Sequence, residues 1–282
     1  MGRGVIGSLS AILASVIPFV EARRKSSGGF GATPKLPATI EDTYYALNIL
    51  GLARQYGAVE GNLFTPDSDE NLRSYLDGCR RSLSPGARTT FHLFWCCRTV
   101  GIPFDPDAVE TAALDNIRPA VALEDWYYGA RTLAEVLERK PSKLAGEGNL
   151  AVVLGHDWRS VNEAWMHIYL CRECRDTLPR PKQELIAWFR ACQNGDGGFG
   201  FFPGTTSFVE NCHHCLRALS ALGAEPTDTK TAHGFLTSAQ TARGGFGRCY
   251  RAAPFLYATW HAVAGLALLD ERSRVAQSPV PS

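Results

Sequence analysis

The sequence predicts an all-α fold, an (α/α)6 toroid of six helical hairpins. Three observations carry this. Gly-Gly-Phe-Gly occurs at Gly28–Gly31, Gly197–Gly200 and Gly244–Gly247, each time between two apolar segments. Each copy has an aromatic residue nine positions ahead of its first glycine (Phe19, Trp188, Phe235), and Thr43, Cys212 or Thr259 follows fifteen positions after it. Ungapped self-similarity of this extent marks a repeat architecture. Helix-like runs fill the intervals, and no alternating β-branched segment stands out.

The apolar opening from Val5 to Val20 reads as the first helix of the first repeat. No small-x-small cleavage site follows it, and it is shorter than the about 20 residues that span a bilayer. Similar helical runs are anchored at Glu41, Arg88, Glu124, Asn162, Glu210 and Tyr257, in steps of about 36 to 48 residues. Each step holds a second helix and two loops. Asn71 to Ser82, Asp107 to Ile117 and Gln183 to Gln193 supply such intervening helices. Pro66, Pro103, Pro106, Pro179, Pro181 and Pro226 fall in connections, where proline starts a helix without interrupting one. No linker divides the chain, so residues 1–276 are expected to form one domain, with a disordered tail at 277–282.

Stacking the anchored helices gives each two faces. Offsets 0, 4 and 7 from the anchor lie on one side of a helix with 3.6 residues per turn. They carry Glu41, Tyr45, Asn48; Arg88, His92, Trp95; Glu124, Tyr128, Arg131; Asn162, Met166, Tyr169; Glu210, His214, Arg217; and Tyr257, His261, Ala264. The opposite side is small or apolar, as in Thr43, Leu47, Leu50 and Cys212, Leu216, Leu219. An open solenoid would show solvent Lys and Glu on its free faces; Tyr, His, Trp and Arg point to an enclosed cavity.

A net charge of +1 gives no nucleic-acid or membrane-surface field. The hydrophobic content of 45% supports a substantial core. Nine cysteines without framework spacing, and no signal peptide, predict reduced thiols and a cytoplasmic protein without a transmembrane segment.

Gln-Asn-Gly-Asp-Gly-Gly-Phe-Gly at Gln193–Gly200 resembles the repeat of protein prenyltransferase β subunits. It is similar also to the QW motif of squalene cyclases, with Phe199 and Phe246 in place of the usual Trp. The resemblance implies a terpenoid cyclase/protein prenyltransferase-like toroid that holds an isoprenoid diphosphate, and an α-type partner subunit. It also implies zinc, which stabilises a thiolate acceptor and leaves a coordination position open. Glu210-Asn211-Cys212 stands at the first metal pair of the family. The family's histidine falls on Ala258, so the triad lacks a member, and His214 or His261 would complete it. Gly247-Arg248-Cys249-Tyr250-Arg251 is similar to the family's diphosphate-binding stretch, and guanidinium forks suit phosphate.

The expected catalytic residues are therefore Glu210, His214, His261 and Tyr257, with Glu210 and Cys212 as metal ligands. Arg248 and Arg251 would hold diphosphate, with Arg217, Arg88 and Arg131 adding charge, and Tyr45, Tyr128 and Trp95 offering aromatic faces to a carbocation. Acids at the helix starts (Glu41, Glu124, Glu210) either hold Mg²⁺-diphosphate or a proton, or complement the helix dipole. Asp42 and Asp125 read as dipole partners, and His213-His214 as a packed pair. Cys171-x-x-Cys174 and Cys212-x-x-Cys215 read as buried thiols. No Asp-x-Asp-Asp acid is present; Asp67-Ser68-Asp69-Glu70 is a weak match in a loop. The leading expectation is a transferase moving a prenyl group. The alternatives are a terpene-cyclase-like enzyme with a cavity Glu or His acid, and a non-catalytic lipid-binding or scaffold toroid.

Overall fold

The computed structural model describes residues 8–59, 70–82, 86–146 and 149–277. Twelve α-helices and no extended strand occur among them. The helices are α1 (Leu9–Glu21), α2 (Ile40–Gln55), α3 (Glu70–Arg81), α4 (Ala87–Val100), α5 (Pro106–Ile117), α6 (Leu123–Arg131), α7 (Leu150–Val153), α8 (Val161–Arg175), α9 (Lys182–Ala191), α10 (Val209–Ala221), α11 (Thr229–Ser238) and α12 (Leu256–Gln277). Every sequence anchor lands on the second residue of an even-numbered helix: Glu41 in α2, Arg88 in α4, Glu124 in α6, Asn162 in α8, Glu210 in α10 and Tyr257 in α12. The intervening runs at Asn71, Asp107 and Gln183 are α3, α5 and α9. Between α6 and α8 the intervening helix is broken into a π-helical turn (Thr132–Val136), a 3-10 segment (Pro141–Gly146) and the short α7. Gln277 ends α12, and the rest of the expected tail, like Pro66 and Asp67–Asp69, lies outside the described residues.

Contacts divide the chain into two compact units. Unit 1 holds Met1–Arg23, Tyr45–Leu63 and Phe189–Ser282; unit 2 holds Arg24–Tyr44 and Phe64–Trp188. In unit 1, α10 packs on α12, and α12 also meets α1 and α11. In unit 2, α4, α6 and α8 pack in succession, with α3 and α5 against them.

Each glycine cluster is a tight turn built the same way. In the last copy Thr241 N donates to Gly245 O (2.9 Å) and Gly244 N to Thr241 O (2.9 Å). Phe246 is fully buried, and its N–H donates to Thr259 Oγ1 at 3.0 Å. The first copy repeats this with Phe30 N and Thr43 Oγ1 at 3.0 Å. In the copy at Gly197, Cys212 takes the threonine's place and its thiol meets the backbone of Phe199. The bond ties the turn to the first turn of the helix that follows, so the turn sets where that helix begins.

Only glycine fits at the head of each turn. Gly28, Gly197 and Gly244 have φ of +100°, +87° and +88°. A Cβ at Gly28 would lie 2.1 Å from the carbonyl carbon of Asn71 in α3, and at Gly197 2.2 Å from the carbonyl oxygen of Thr231 in α11. At Gly244 it would lie 2.1 Å from the carbonyl oxygen of Ser15 in α1, so the last turn packs on the first helix. Gln193 and Gln240 reinforce the same joints. Gln193 bonds Gly197 O and both Asp228 backbone groups, and Gln240 bonds Gly244 O (3.0 Å) and Ser15 Oγ (2.8 Å).

The two faces read from sequence separate in burial. Thr43, Leu47, Leu50, Cys212, Leu216 and Leu219 are all buried. Of the offset 0, 4 and 7 positions only Glu124 is exposed, although many are polar. Gly197→Ala is expected to lower unfolding stability by at least about 2 kcal/mol, because strain and a backbone clash add. Gly57→Ala, at φ +63° with nothing within 4 Å, carries the strain alone and is expected to cost about 1 kcal/mol. Urea unfolding of the two variants measures the difference.

Candidate functional site

The first cluster lies in unit 1, on the facing turns of α10 and α12. Glu210 is buried (4% exposed), which a carboxylate tolerates only with a partner. Arg248, in the turn that ends Gly244–Gly247, supplies it: Nε donates to Glu210 Oε1 at 2.6 Å and Nη2 to the same oxygen. Glu210 Oε2 is enclosed and makes no hydrogen bond. The Arg248 carbonyl accepts from Val209 N (2.9 Å), so one residue holds both the backbone and the side chain at the start of α10. Its guanidinium lies 4.3 Å from the Phe208 ring centroid.

One turn further along, three imidazoles meet. His213 Nδ1 and His261 Nδ1 are 2.8 Å apart, a hydrogen bond in which one ring donates and the other accepts. The His214 ring lies 5.1 Å from that of His261, and its Nδ1 is enclosed without a partner. Burial, with Arg217 adding to it, pushes the His214 pKa down to about 3, so the ring is neutral near pH 7. Tyr257 lies 4.4 Å from His261 and 5.4 Å from Tyr45. Glu210, His214, His261, Tyr257, Tyr45, Arg217 and Arg248 therefore fall in one neighbourhood. Arg251 stands apart in the exposed turn, φ +63°, its guanidinium 5.1 Å from the Tyr250 ring.

The second cluster lies in unit 2. Arg131 is buried (8% exposed), and its guanidinium bonds both oxygens of Glu135 at 2.7 Å and reaches Tyr44 Oη at 3.3 Å. It lies 4.1 Å from the Phe91 ring centroid. Burial opposes the charge, but Tyr127, Tyr44 and Glu135 together raise the pKa well above its usual value. The π-helical turn begins directly after Arg131 and carries Glu135; such turns recur at functional sites. Tyr44 stacks on His92 (4.2 Å) and meets Trp95 edge-on (4.9 Å), and Tyr128 meets His92 edge-on at 5.5 Å. Burial, with Arg88 and Arg131 adding to it, holds the His92 pKa well below the usual range. At the start of these helices Arg88 bridges Glu41 and Glu124. Arg88, Arg131, Tyr128 and Trp95 are thus brought together, with three of the expected cations already paired to acids: Arg88, Arg131 and Arg248.

The metal expectation meets a different arrangement. Among the described residues no three His, Cys, Asp or Glu side chains converge to hold a metal ion. Glu210 Oε1 is occupied by a guanidinium, and the Cys212 thiol fills the turn-locking place held elsewhere by Thr43 and Thr259, where burial pushes its pKa up. This donor set does not fit the zinc site that the resemblance implies. Cys171, Cys174, Cys212 and Cys215 are buried and free, as thiols at their positions were expected to be.

Sequence reasoning missed several members. Tyr44, at offset 3, lies beside the expected face, and Glu135, at offset 11 from Glu124, lies past the last position of it. His213 stacks on His214 as expected of a packed pair, and it also bonds His261. A cavity of about 690 Å³ lies in unit 2, and Glu124, Asn162 and Met166 reach it from the face expected to line a cavity. The starts of α6 and α8 and the connection before α8 bound it, and Glu124, Trp158, Asn162, Met166 and His167 line it. Its volume is within the range of small-molecule sites.

Repeated helical hairpins, locked glycine turns and enclosed aromatic, histidine and arginine clusters define a helical repeat protein with buried polar sites. The chain matches the Prenyltransferase alpha-alpha toroid domain over residues 8–81 and 146–280, and it belongs to that family. Its fold class is accordingly the α/α toroid. The unmatched stretch covers α4 to α6, where the repeats have lost their glycines. Among solved structures it is similar to Candida albicans protein geranylgeranyltransferase-I complexed with GGPP, at 14% identity and a TM-score of 0.40, over 94% of this chain and 79% of that one. No curated protein matches it. No helix among the described residues is long and apolar enough to cross a membrane.

Two outcomes follow from the geometry. Cys212→Thr is expected to keep unfolding stability within about 1 kcal/mol of the parent, whereas Cys212→Val leaves the Phe199 amide unpaired and costs about 1–3 kcal/mol. For His214 the native pKa lies below the unfolded value of about 6.5. The unfolded chain therefore binds more protons between the two, and stability falls as pH drops from about 6.5 towards about 3. His214→Gln is expected to flatten that slope, read as urea midpoints at about pH 5 and about pH 7.

Proposed function

We propose that the protein binds an isoprenoid diphosphate and transfers its prenyl group. Family membership supports the class of ligand. The observation that carries the site is the buried Glu210, with one oxygen held by Arg248 and the other unpartnered, beside Tyr257 and the linked His213 and His261. A guanidinium suits diphosphate, and aromatic rings suit the allylic cation that forms as the C1–O bond breaks. A carboxylate or imidazole beside them suits proton transfer in the same step. Because the donor set does not fit zinc, no step runs through a metal-bound thiolate.

A second reading, a cyclase-like protein that protonates or deprotonates a terpenoid with a buried carboxylate, draws on the same Glu210. Product analysis separates the two: prenylated acceptor or prenyl alcohol for transfer, cyclic hydrocarbon for cyclisation. The first test is binding. Geranyl, farnesyl and geranylgeranyl diphosphates are expected to raise the melting temperature, by about 4 °C or more at a hundredfold excess over Kd. Arg248→Gln is expected to abolish most of that rise. No rise with any of the three in the parent protein refutes the reading.

A further inference from the structure

Resting on the prenyl-diphosphate reading, we infer that Arg248 is a cation shared between Glu210 and the incoming diphosphate, and that its transfer to the diphosphate uncovers Glu210 as the base for a hydroxyl acceptor. The two halves of the ion pair are unequally exposed. The Arg248 side chain is 42% exposed and the Glu210 side chain 5%, so a ligand meets the guanidinium first. Both of its donors, Nε and Nη2, converge on Oε1 and leave Oε2 with nothing. A fork that used both oxygens would satisfy the carboxylate fully; this one leaves it half-satisfied and enclosed. The Arg248 backbone stays fixed through its carbonyl bond to Val209 N, which lets the side chain move without unravelling the turn. The Phe208 ring offers the cation a face to remain against.

The same arrangement replaces the metal that the resemblance implies. The positive charge that faces Glu210 is the Arg248 guanidinium, and Cys212 is committed to the Phe199 turn. An acceptor here gains no thiolate from zinc and needs a base instead. In the step, the acceptor hydroxyl oxygen bonds to C1 of the prenyl group as the C1–O bond to diphosphate breaks. That bond's electron pair leaves on the diphosphate held by Arg248, and the hydroxyl proton passes to Glu210. Water is the smallest such acceptor. In the ligand-free chain Glu210 already holds Arg248, so part of the diphosphate's binding free energy is spent on parting the pair.

Glu210→Gln tests this because it moves binding and turnover in opposite directions. The probe is geranylgeranyl diphosphate, with water as acceptor and diphosphate release as the rate. The expected result is binding several-fold tighter than the parent, with release slower by about a hundredfold. Binding that is unchanged or weaker in a folded variant, or release at the parental rate, overturns the proposal. Glu210→Asp, which keeps the charge but draws it back from Arg248, is the second variant if Gln does not fold. It too is expected to bind more tightly, and weaker binding overturns the shared-cation role. Calorimetric titration of the protein with zinc is expected to show no stoichiometric binding; stoichiometric zinc lost in Cys212→Thr overturns the replacement of the metal. Failure of the parent protein to bind the probe is a failure of the underlying reading, and it is seen before any variant is compared.

Discussion

The structure depends on the close approach of a glycine turn to the backbone of another helix. Gly28 sits on Asn71, Gly197 on Thr231 and Gly244 on Ser15, at separations that exclude even a methyl group. The approach does two things at once. It joins one hairpin to another, and it presents a buried phenylalanine amide to Thr43, Cys212 or Thr259 two residues beyond the anchor. The start of each such helix is thereby fixed to the turn. Glu210 and Tyr257 occupy equivalent second positions in α10 and α12 for that reason, and His214 and His261 follow one turn later. The site is a consequence of the joints.

The arginines that meet a carboxylate in the two clusters are compensated in place. Arg131 has Glu135 and three aromatic faces, Arg248 has Glu210, and Arg88 has two acids. Removing either partner of such a pair would leave a charge in a poorly solvated place. A ligand carrying negative charge must therefore compete with carboxylates already in position. That competition is weakest where the cation is most exposed, and Arg248 meets this condition better than Arg131, which is almost wholly enclosed.

Most of the fold was legible because the repeat is local. A glycine that must adopt φ near +90°, an aromatic nine residues before it and a hydrogen-bonding side chain fifteen after it all sit within one hairpin. The helix anchors followed from aligning those turns. The site was legible only by face. Side chains at offsets 0, 4 and 7 were recovered with their burial, but their partners were not. Glu135 pairs with Arg131 at the i,i+4 spacing of a helix, but it lies in a π-helical turn past the last offset that the stacked helices cover. Arg248 reaches Glu210 from another repeat, a long-range pairing that no spacing rule encodes. Cys212 carried two signals, the family's metal pair and the threonine position of its sister repeats. The second is the one the structure expresses in its contacts.

The histidines narrow what can hold a negatively charged ligand in unit 1. With Nδ1 atoms 2.8 Å apart, His213 and His261 share one proton between those nitrogens. Protonating both would set two N–H groups against each other, so the pair carries at most one positive charge. His214 adds none near pH 7, because burial and Arg217 hold its pKa at about 3. The imidazoles can thus relay or accept a proton, but they are poor substitutes for a guanidinium. The cationic work around Glu210 falls to Arg248 and Arg217, and of these only Arg248 touches the buried carboxylate. Acid–base groups and the diphosphate-binding cation are then separate side chains joined at one carboxylate oxygen, which is why a single ion pair can couple ligand binding to proton transfer.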